Sequence, residues 1–135
     1  MDEPSRILLV EDDEAIAEMY RVRLMADGYN VEIACDSDQG LRRAIADPPD
    51  LVYLDLHVPR CGGLDLLRRL RAEPQGERVP VVILTNWDEP DLRARGERLG
   101  AVEYLIKSDT TPAWIAMETG RLLGSPPRDE TSISD

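Results

Sequence analysis

The sequence has no phenylalanine, one histidine and two cysteines, and it contains no apolar run of membrane-spanning length. Cys35 and Cys61 show neither CxxC spacing nor a flanking metal-ligand pattern, so we expect two reduced structural thiols. The first residues, Met-Asp-Glu-Pro, lack the basic and apolar regions of a signal peptide. These absences predict a cytoplasmic protein that makes no contact with a membrane.

Positive charge is also scarce, because 16 lysine and arginine residues face 27 aspartate and glutamate residues, for a formal net charge of −11. A surface this acidic repels nucleic acid and anionic lipid, so we expect no direct nucleic-acid partner. The length of 135 residues suits a single domain with its own hydrophobic core.

Short apolar runs alternate with amphipathic stretches along the chain. We expect strands at residues 6–10, 30–34, 50–54, 80–84 and 101–106, each followed by a helix. Strict alternation predicts a parallel sheet with right-handed crossovers and helices on both faces. Five units are too few for an eight-stranded barrel, so the expected fold is a flavodoxin-like, doubly wound (βα)5 sandwich with strand order 2-1-3-4-5.

The boundaries of these elements follow from capping and stop signals. Asp13 is an expected N-cap, Asp36 or Ser37 can cap the second helix, and Thr111-Pro112 opens the last one. Apolar positions at helical spacing are Ile16, Met19, Tyr20 and Leu24 in the first helix, and Trp114, Ile115, Met117 and Leu122 in the last. We expect the domain to span residues 1–123 and the polar, proline-bearing segment 124–135 to be a disordered tail.

Polar side chains follow the predicted strands at the carboxyl edge of the sheet, where open α/β folds place their sites. Asp55 ends the third strand, Glu11 and Asp12 follow the first, and Thr85 and Lys107 follow the fourth and fifth. Three carboxylates so close together need a cation, and an incomplete cage of oxygen ligands suits Mg²⁺ or Mn²⁺. With a lysine and a hydroxyl alongside, the set favours phosphoryl transfer with a carboxylate as nucleophile.

Each of these residues also has an ordinary structural explanation. Asp55 is typical of a solvated residue opening a loop, Glu11 and Asp12 of an acidic helix N-terminus, and Lys107 of a surface lysine. Thr85 alone is typical of a cap. It is their joint position at the ends of four of the five strands that favours a functional site.

The residues that carry a family resemblance lie in four segments, at 7–14 (ILLVEDDE), 50–59 (DLVYLDLHVP), 82–85 (VILT) and 99–107 (LGAVEYLIK). In order and separation they resemble the receiver domain of two-component response regulators, in its chemotaxis-regulator-like form, over about residues 5–123. The resemblance implies that Asp55 accepts a phosphoryl group from a sensor histidine kinase or a histidine phosphotransfer protein. Self-phosphorylation and self-dephosphorylation would be its only catalysis, so we do not expect a turnover enzyme.

The resemblance also implies a role for each site residue. Asp12 and Asp55 would ligate Mg²⁺ directly, Glu11 through water, and His57 through its backbone carbonyl. Thr85 and Lys107 would contact the phosphoryl oxygens. Tyr104 would turn inward when Thr85 shifts, and this would change the face built from helix 4, strand 5 and helix 5. The other possibility is that Tyr104 is a half-buried strand aromatic held in one rotamer.

The resemblance leaves the form or role of three positions open. Ser108 follows Lys107 where proline is usual, so we expect the 107–108 peptide to be either trans with a shifted loop or cis under strain, since a cis bond before serine costs about 2.5–4 kcal/mol. Trp87 either covers the site and slows small phosphodonors, or packs on the loop surface. The side chain of His57 is expected at the rim of the site, where it tunes hydrolysis of the acyl phosphate.

The expected output is an interaction with a downstream protein. Residues after 123 leave no room for an output domain, which predicts a stand-alone receiver, unless the chain is part of a longer regulator or hybrid kinase. Arg93, Arg95 and Arg98 are either a solvated face or ion-pair partners across a homodimer that uses the helix 4, strand 5, helix 5 face. Two other classes remain open: a phosphate-independent pseudo-receiver, and a phosphohydrolase of the aspartyl-phosphate type, which would normally carry an aspartate at position 57 and a substrate-binding cap.

Overall fold

The computed structural model describes residues 3–124, which form five strands and five helices in strict alternation. In chain order they are β1 (Arg6–Val10), α1 (Glu14–Ala26), β2 (Asn30–Ala34), α2 (Ser37–Ala46), β3 (Leu51–Leu54), α3 (Gly63–Ala72), β4 (Val81–Thr85), α4 (Pro90–Arg98), β5 (Glu103–Ile106) and α5 (Pro112–Leu123). Two short 3₁₀ turns lie at Pro74–Gly76 and Lys107–Asp109.

The strands form one parallel sheet in the order β2-β1-β3-β4-β5. This confirms the predicted flavodoxin-like fold and its strand order. The switch point lies between β1 and β3, where Val10 pairs with Leu54. Because these two residues are the last of their strands, the segments that begin with Glu11 and Asp55 leave the sheet side by side.

Alternate residues of each central strand enter two separate cores. In β1, Leu8 and Val10 belong to the cluster under α2, α3 and α4, whereas Ile7 and Leu9 belong to the one under α1 and α5. Successive side chains of a strand point to opposite faces of the sheet, and both faces are covered by helices. This explains why the strands read as continuous apolar runs.

A few predicted details were wrong. β4 begins at Val81 rather than at residue 80, because Pro80 has no N–H to donate, although its carbonyl accepts a hydrogen bond from Val52 at 2.9 Å. Of the apolar positions at helical spacing, Met19, Trp114 and Met117 are exposed. Apolar residues at helical spacing do not themselves reveal which side faces the sheet. The predicted tail beyond residue 124 lies outside the described residues.

Helix starts follow the capping rules at three places. Asp13, Asp36 and Thr111 each accept a hydrogen bond from the backbone N–H three residues later, the usual N-cap arrangement. Asp36, rather than Ser37, is therefore the cap of α2. Within residues 3–124 no helix is long and apolar enough to span a membrane.

The guanidinium of Arg71 fastens α3 to the end of α4. It donates to four backbone carbonyls: Leu99 at 2.7 Å, Gly76 and Val79 at 2.8 Å each, and Gly100 at 3.3 Å. Burial lowers the pKa of Arg71, yet the residue stays charged at any physiological pH. Its charge is held by carbonyl dipoles, among them those at the C-terminus of α4.

We expect Arg71→Ala to lower the free energy of unfolding by about 2 kcal/mol, because several carbonyls would lose a charged donor. Urea denaturation followed by circular dichroism measures the change. Arg69→Ala is the matched control, since Arg69 is an exposed residue of the same helix paired with Asp65, and should change stability by less than about 0.5 kcal/mol. Equal effects of the two substitutions would contradict the assignment.

A carboxyl pair links β5 to α5. Glu103 and Glu118 share a hydrogen bond and both pair with Arg121. The hydrogen bond to Glu118, together with burial, raises the pKa of Glu103, whereas the hydrogen bond from Arg121 lowers the pKa of Glu118. The fold therefore favours a protonated Glu103 next to an ionised Glu118.

We expect Glu103→Gln to be more stable than the wild type at neutral pH and equally stable near pH 4. The stabilisation from protonated Glu103 is present below the ordinary glutamate pKa of 4.5 and is lost as pH rises through the raised pKa. A glutamine amide donates to Glu118 at every pH. Chemical denaturation across this range measures the difference, with the exposed Glu97→Gln as control; a difference that does not change with pH would contradict the account.

Candidate functional site at the carboxyl edge of the sheet

The carboxyl edge of the sheet brings together the five residues that the strand pattern singled out. Glu11 and Asp12 follow β1, Asp55 follows β3, Thr85 ends β4 and Lys107 follows β5. Backbone hydrogen bonds fix the two acidic segments, since the N–H of Asp55 donates to Val10 and that of Glu11 donates to Ala34, both at 3.0 Å. The order of the strands is therefore enough to bring these five residues to the same edge of the sheet.

The ammonium of Lys107 bridges two carboxylates. Its Nζ lies 2.5 Å from Glu11 Oε1 and 3.1 Å from Asp55 Oδ2. All three side chains are nearly buried, with 8%, 3% and 8% of their surface exposed for Lys107, Glu11 and Asp55. If one partner of a buried ion pair is removed, the other charge is left unpaired and away from water. The cluster therefore contributes strongly to stability only while all three side chains are present.

The electrostatics of this cluster are set by burial and by the lysine. Burial raises the pKa of Glu11, and the hydrogen bond from Lys107 offsets only part of this. Burial alone would lower the pKa of Lys107, but the hydrogen bond to Glu11 and the charges of Asp55 and Glu11 outweigh it, so the pKa of Lys107 is raised. The lysine is therefore cationic at neutral pH.

Asp12 completes a set of oxygen donors that can hold a metal ion. One carboxylate oxygen from each of Glu11, Asp12 and Asp55 lies within 4.8 Å of the others, and Asp12 is the exposed member. Three formal negative charges against the single charge of Lys107 leave an excess of two, which matches a divalent cation. Carboxylates are the ligands that Mg²⁺ and Mn²⁺ accept, so the residues fit such an ion.

The orientation of Asp55 is fixed from both sides. Its Oδ1 accepts the backbone N–H of His57 at 3.0 Å and its Oδ2 accepts Lys107. Gly63 packs directly beneath, where a Cβ would come within 2.7 Å of the Asp55 carbonyl and the Leu56 Cα. Backbone at that distance cannot give way as a flexible side chain can, so a glycine is required at this position.

Ser37 holds the loop after Asp55, a role that the sequence did not indicate, since it offered Ser37 only as a possible helix cap. It is buried, its Oγ donates to the Pro59 carbonyl at 3.2 Å, and it accepts the N–H of Cys61 at 2.9 Å. Serine at the first turn of a helix is usually explained by capping. Nothing in the local pattern indicates a contact with a loop more than twenty residues later in the chain.

Comparison with known proteins assigns this arrangement to a family. Residues 7–116 match the family model described as the response regulator receiver domain. The chain belongs to that family. The receiver is thus a component of two-component signalling, and the resemblance based on the strand-end residues is confirmed.

Curated relatives agree with this assignment. The receiver is 38% identical over 111 residues to the phosphate regulon transcriptional regulatory protein PhoB of Rhizobium meliloti, covering 82% of this chain and 49% of that protein. It is 41% identical over 104 residues to the response regulator MprA of Mycolicibacterium vanbaalenii, covering 77% of this chain and 44% of that protein. The chain spans about half the length of the curated relatives it matches.

Solved structures show the same fold. The chemotaxis protein CheY4 of Vibrio cholerae superposes with a TM-score of 0.81 at 26% identity, over 88% of this chain and 98% of that one. The non-phosphorylated HemR receiver domain of Leptospira biflexa superposes with a TM-score of 0.80 at 33% identity, over 88% and 94% of the two chains.

Within the receiver, the backbone of one residue, Trp87, connects Thr85 to Tyr104. The backbone N–H of Trp87 donates to Thr85 Oγ1 at 3.4 Å, and the Tyr104 hydroxyl donates to the Trp87 carbonyl at 2.7 Å. Thr85 is fully buried and Tyr104 is 8% exposed, and burial raises the pKa of Tyr104. Tyr104 therefore lies inward, with its hydroxyl fixed by the loop that follows Thr85.

Arg93 covers the ring of Tyr104, a contact that sequence reasoning missed. Its guanidinium carbon lies 4.5 Å from the ring centroid, and the same group donates to the Tyr104 carbonyl at 3.4 Å and to Asp88 at 3.2 Å. Such cation–π contacts add to the fixing of the ring. The sequence groups Arg93 with Arg95 and Arg98, either as a solvated face or as partners across a homodimer. Arg93 contacts residues of its own chain.

The loop after Lys107 takes the first of its two predicted forms. No cis peptide bond occurs in residues 3–124, so the 107–108 bond is trans. Lys107–Asp109 form a 3₁₀ turn, and the Lys107 carbonyl accepts both the N–H of Thr110 at 3.2 Å and its hydroxyl at 3.1 Å.

Trp87 and His57 stand together at the rim of the site. Their rings meet edge to face with centroids 5.7 Å apart, and Trp87 is 53% exposed.

Both cysteines are exposed and unpaired with each other. Cys61 lies in the loop after Asp55, so neither thiol is part of the core.

Proposed function

We propose that this receiver is a phosphorylation-controlled switch whose acceptor is Asp55. The observation that carries the proposal is the Lys107 ammonium bridging Glu11 and Asp55 at the carboxyl ends of three different strands. A phosphate-independent module has no need of a buried lysine held against a reactive carboxylate. A phosphohydrolase of the aspartyl-phosphate type normally has an aspartate where this chain has His57.

In the proposed reaction an Asp55 oxygen attacks the phosphorus of a phosphohistidine. The new oxygen–phosphorus bond forms as the nitrogen–phosphorus bond breaks, and the departing imidazole nitrogen takes up a proton from solvent. Asp12, Asp55 and the backbone carbonyl of His57 would hold Mg²⁺, with Glu11 acting through water. When bound, this ion would neutralise the carboxylates and the transferring phosphoryl oxygens.

Lys107 and Thr85 would then hold the remaining phosphoryl oxygens. Lys107 has only to shift its ammonium from the carboxylate of Asp55 to the phosphoryl group attached there. If the Thr85 hydroxyl turns toward the phosphoryl group, it gives up the N–H of Trp87. The Trp87 carbonyl also accepts a hydrogen bond from Tyr104. The movement would therefore reach Tyr104 on β5 and Arg93 on α4. It would change which conformation of the α4, β5, α5 face is most populated.

The proposed donor is a sensor histidine kinase or a histidine phosphotransfer protein. The relatives are response regulators by name, and one face of α1 suits a protein donor. Met19, Val22 and Met25 are exposed apolar side chains on a helix that begins two residues after Asp12. We propose no catalysis for the chain beyond self-phosphorylation and self-dephosphorylation. We propose that it acts in the cytoplasm.

The proposed output is binding to a downstream protein through the α4, β5, α5 face, and a homodimer through the same face is the second candidate. Sedimentation with and without Mg²⁺ and beryllofluoride distinguishes the two. A concentration-dependent dimer is expected only if the second candidate holds.

Tryptophan fluorescence tests the switch directly. Adding Mg²⁺ and beryllofluoride, which imitates a phosphoryl group on a carboxylate, should change the emission of Trp87, because its backbone N–H binds Thr85 and its carbonyl binds Tyr104. A Trp114→Phe background isolates the signal. A pseudo-receiver would give no response, and Asp55→Asn should give none either.

We expect Trp87→Ala to accelerate phosphorylation by acetyl phosphate several-fold, because the indole stands beside His57 at the rim of the site and restricts entry. Dephosphorylation should accelerate too, since water would reach the acyl phosphate more easily. Trp114→Ala is the control, as this exposed residue lies on α5. Unchanged rates in Trp87→Ala would favour the other reading, in which the indole only packs on the loop.

A further inference from the structure

A groove of about 270 Å³ lies between α3 and α4, next to the loop that follows Asp55, and His57 is part of its lining. Its lining includes four leucines: Leu56, Leu64, Leu92 and Leu99. The last three are only half-buried, although they also pack on the core beneath α3 and α4. Apolar surface shared between two helices in this way is typical of a surface that binds another protein.

The charge along the groove is unusual for so acidic a chain. Two arginines and one carboxylate line it: Arg68, Arg95 and Asp65. Arg68 is already paired with Asp65, which Arg69 also contacts at 2.8 Å. Arg95 is exposed and makes no hydrogen bond or ion pair through its side chain with any residue in the 3–124 range. A carboxylate from outside would therefore complete the groove.

The size of the groove indicates what occupies it. Sites that enclose a whole small molecule have volumes of about 300–1,000 Å³, so this open groove is small for that purpose. It suits one or two apolar side chains projecting from a larger body. A partner helix that inserts such side chains into an apolar groove is a recurring mode of peptide recognition.

The wall formed by α4 buries little of its own surface. Gly96 is the one residue of this helix that is buried, and a Cβ there would come within 2.5 Å of Ile83 Cδ1. The helix has no side-chain N-cap hydrogen bond. Arg93 and Arg71 attach its two ends to Tyr104 and α3, but a helix with so narrow a buried face can adjust to a partner more readily than one with a broad buried face.

We propose that the α3–α4 groove binds an acidic amphipathic helix of a partner protein, which inserts an apolar anchor against Leu64, Leu92 and Leu99 and places a carboxylate on Arg95. The groove is built from α3, α4 and the loop after Asp55, whereas the output face proposed above is built from α4, β5 and α5, so the two surfaces share only α4.

Selection of displayed helical peptides against the full chain tests the proposal. The library varies apolar, acidic, basic and neutral residues at the anchor and flanking positions. Enriched peptides should carry a large apolar anchor with aspartate or glutamate about one turn away. Arg95→Glu should weaken their binding by about tenfold, equivalent to about 1.4 kcal/mol, and replacing the peptide's acid with lysine should restore it.

Arg98→Glu is the matched control, because Arg98 is an equally exposed arginine of α4 that does not line the groove. It should change the affinity by less than about twofold. Both variants alter exposed side chains, so they are expected to fold normally. Enriched peptides that lack an acid, or equal losses in Arg95→Glu and Arg98→Glu, would overturn the proposal.

Cysteine alkylation locates the bound peptide. Cys61 lines the groove, whereas Cys35 is exposed elsewhere. The best peptide should slow the reaction of Cys61 with iodoacetamide and leave that of Cys35 unchanged. Equal protection of both thiols, or of neither, would overturn the proposal. Protection of Cys61 by octanoate when no peptide protects it would also overturn it, in favour of a small amphiphilic anion.

Discussion

Replacing Asp55 with asparagine is expected to abolish covalent phosphorylation. The amide oxygen can still accept the N–H of His57, so the loop should keep its shape, but an amide does not attack phosphorus as a carboxylate does. The loss should be complete with both acetyl phosphate and a histidine-kinase donor. Intact-protein mass spectrometry measures the phosphorylated fraction over time.

Two neighbouring substitutions make this result specific. Asp13→Asn should phosphorylate at the wild-type rate, because Asp13 serves as the N-cap of α1 and asparagine caps equally well. Asp12→Asn should retain phosphorylation but require a higher Mg²⁺ concentration, since it removes one of three carboxylates near the ion. Wild-type phosphorylation of Asp55→Asn would show that the acceptor is another residue.

Removing the charge of Lys107 is expected to have the largest effect on stability at the site. In Lys107→Met the apolar stem remains, but Glu11 and Asp55 are left nearly buried without their cation. Breaking a buried pair in this way costs about 3–5 kcal/mol. Urea denaturation without metal should show this loss in the free energy of unfolding. Mg²⁺ should restore part of it, because it binds the folded protein.

The pH dependence of this effect has a defined sign. Since the pKa of Lys107 is raised in the folded protein, its stabilisation is present below the ordinary lysine pKa of 10.5 and is lost as pH rises through the higher folded value. The gap between wild type and Lys107→Met should therefore persist through neutral pH. Lys107 is the chain's one lysine, so its ammonium resonance can be followed without ambiguity. Lys107→Arg, which keeps the charge, should lose less stability; an equal loss would contradict the electrostatic explanation.

The strands and the main site residues could be predicted because one local signal carries both. Four of the five apolar runs lead into a residue with chemistry, as at Asp55 and Lys107, and parallel strands bring all such ends to one edge. The strand order itself came from the order that is common for five such units. The family comparison confirms the assignment that this signal favoured, while the roles of the individual residues stay predictions.

The supporting contacts could not be predicted, because they join separate elements that no periodic pattern relates. Arg93 stacking on Tyr104 depends on the position of α4, and α4 has few apolar residues to indicate it. The contact of Ser37 with Pro59 joins the first turn of α2 to the loop after Asp55. From local composition, Ser37 was explained as a helix cap. The 107–108 peptide bond could have been either trans or cis.

The central claim is that Asp55 receives a phosphoryl group in a Mg²⁺-dependent reaction. Incubation with phosphoramidate and Mg²⁺, followed by borohydride reduction and peptide mass spectrometry, converts any phosphoaspartate to homoserine and identifies its position. We predict homoserine at residue 55, formed with Mg²⁺ and absent when the metal is chelated. Homoserine at another position, or none at residue 55 after prolonged incubation of the folded wild-type chain, would contradict the account.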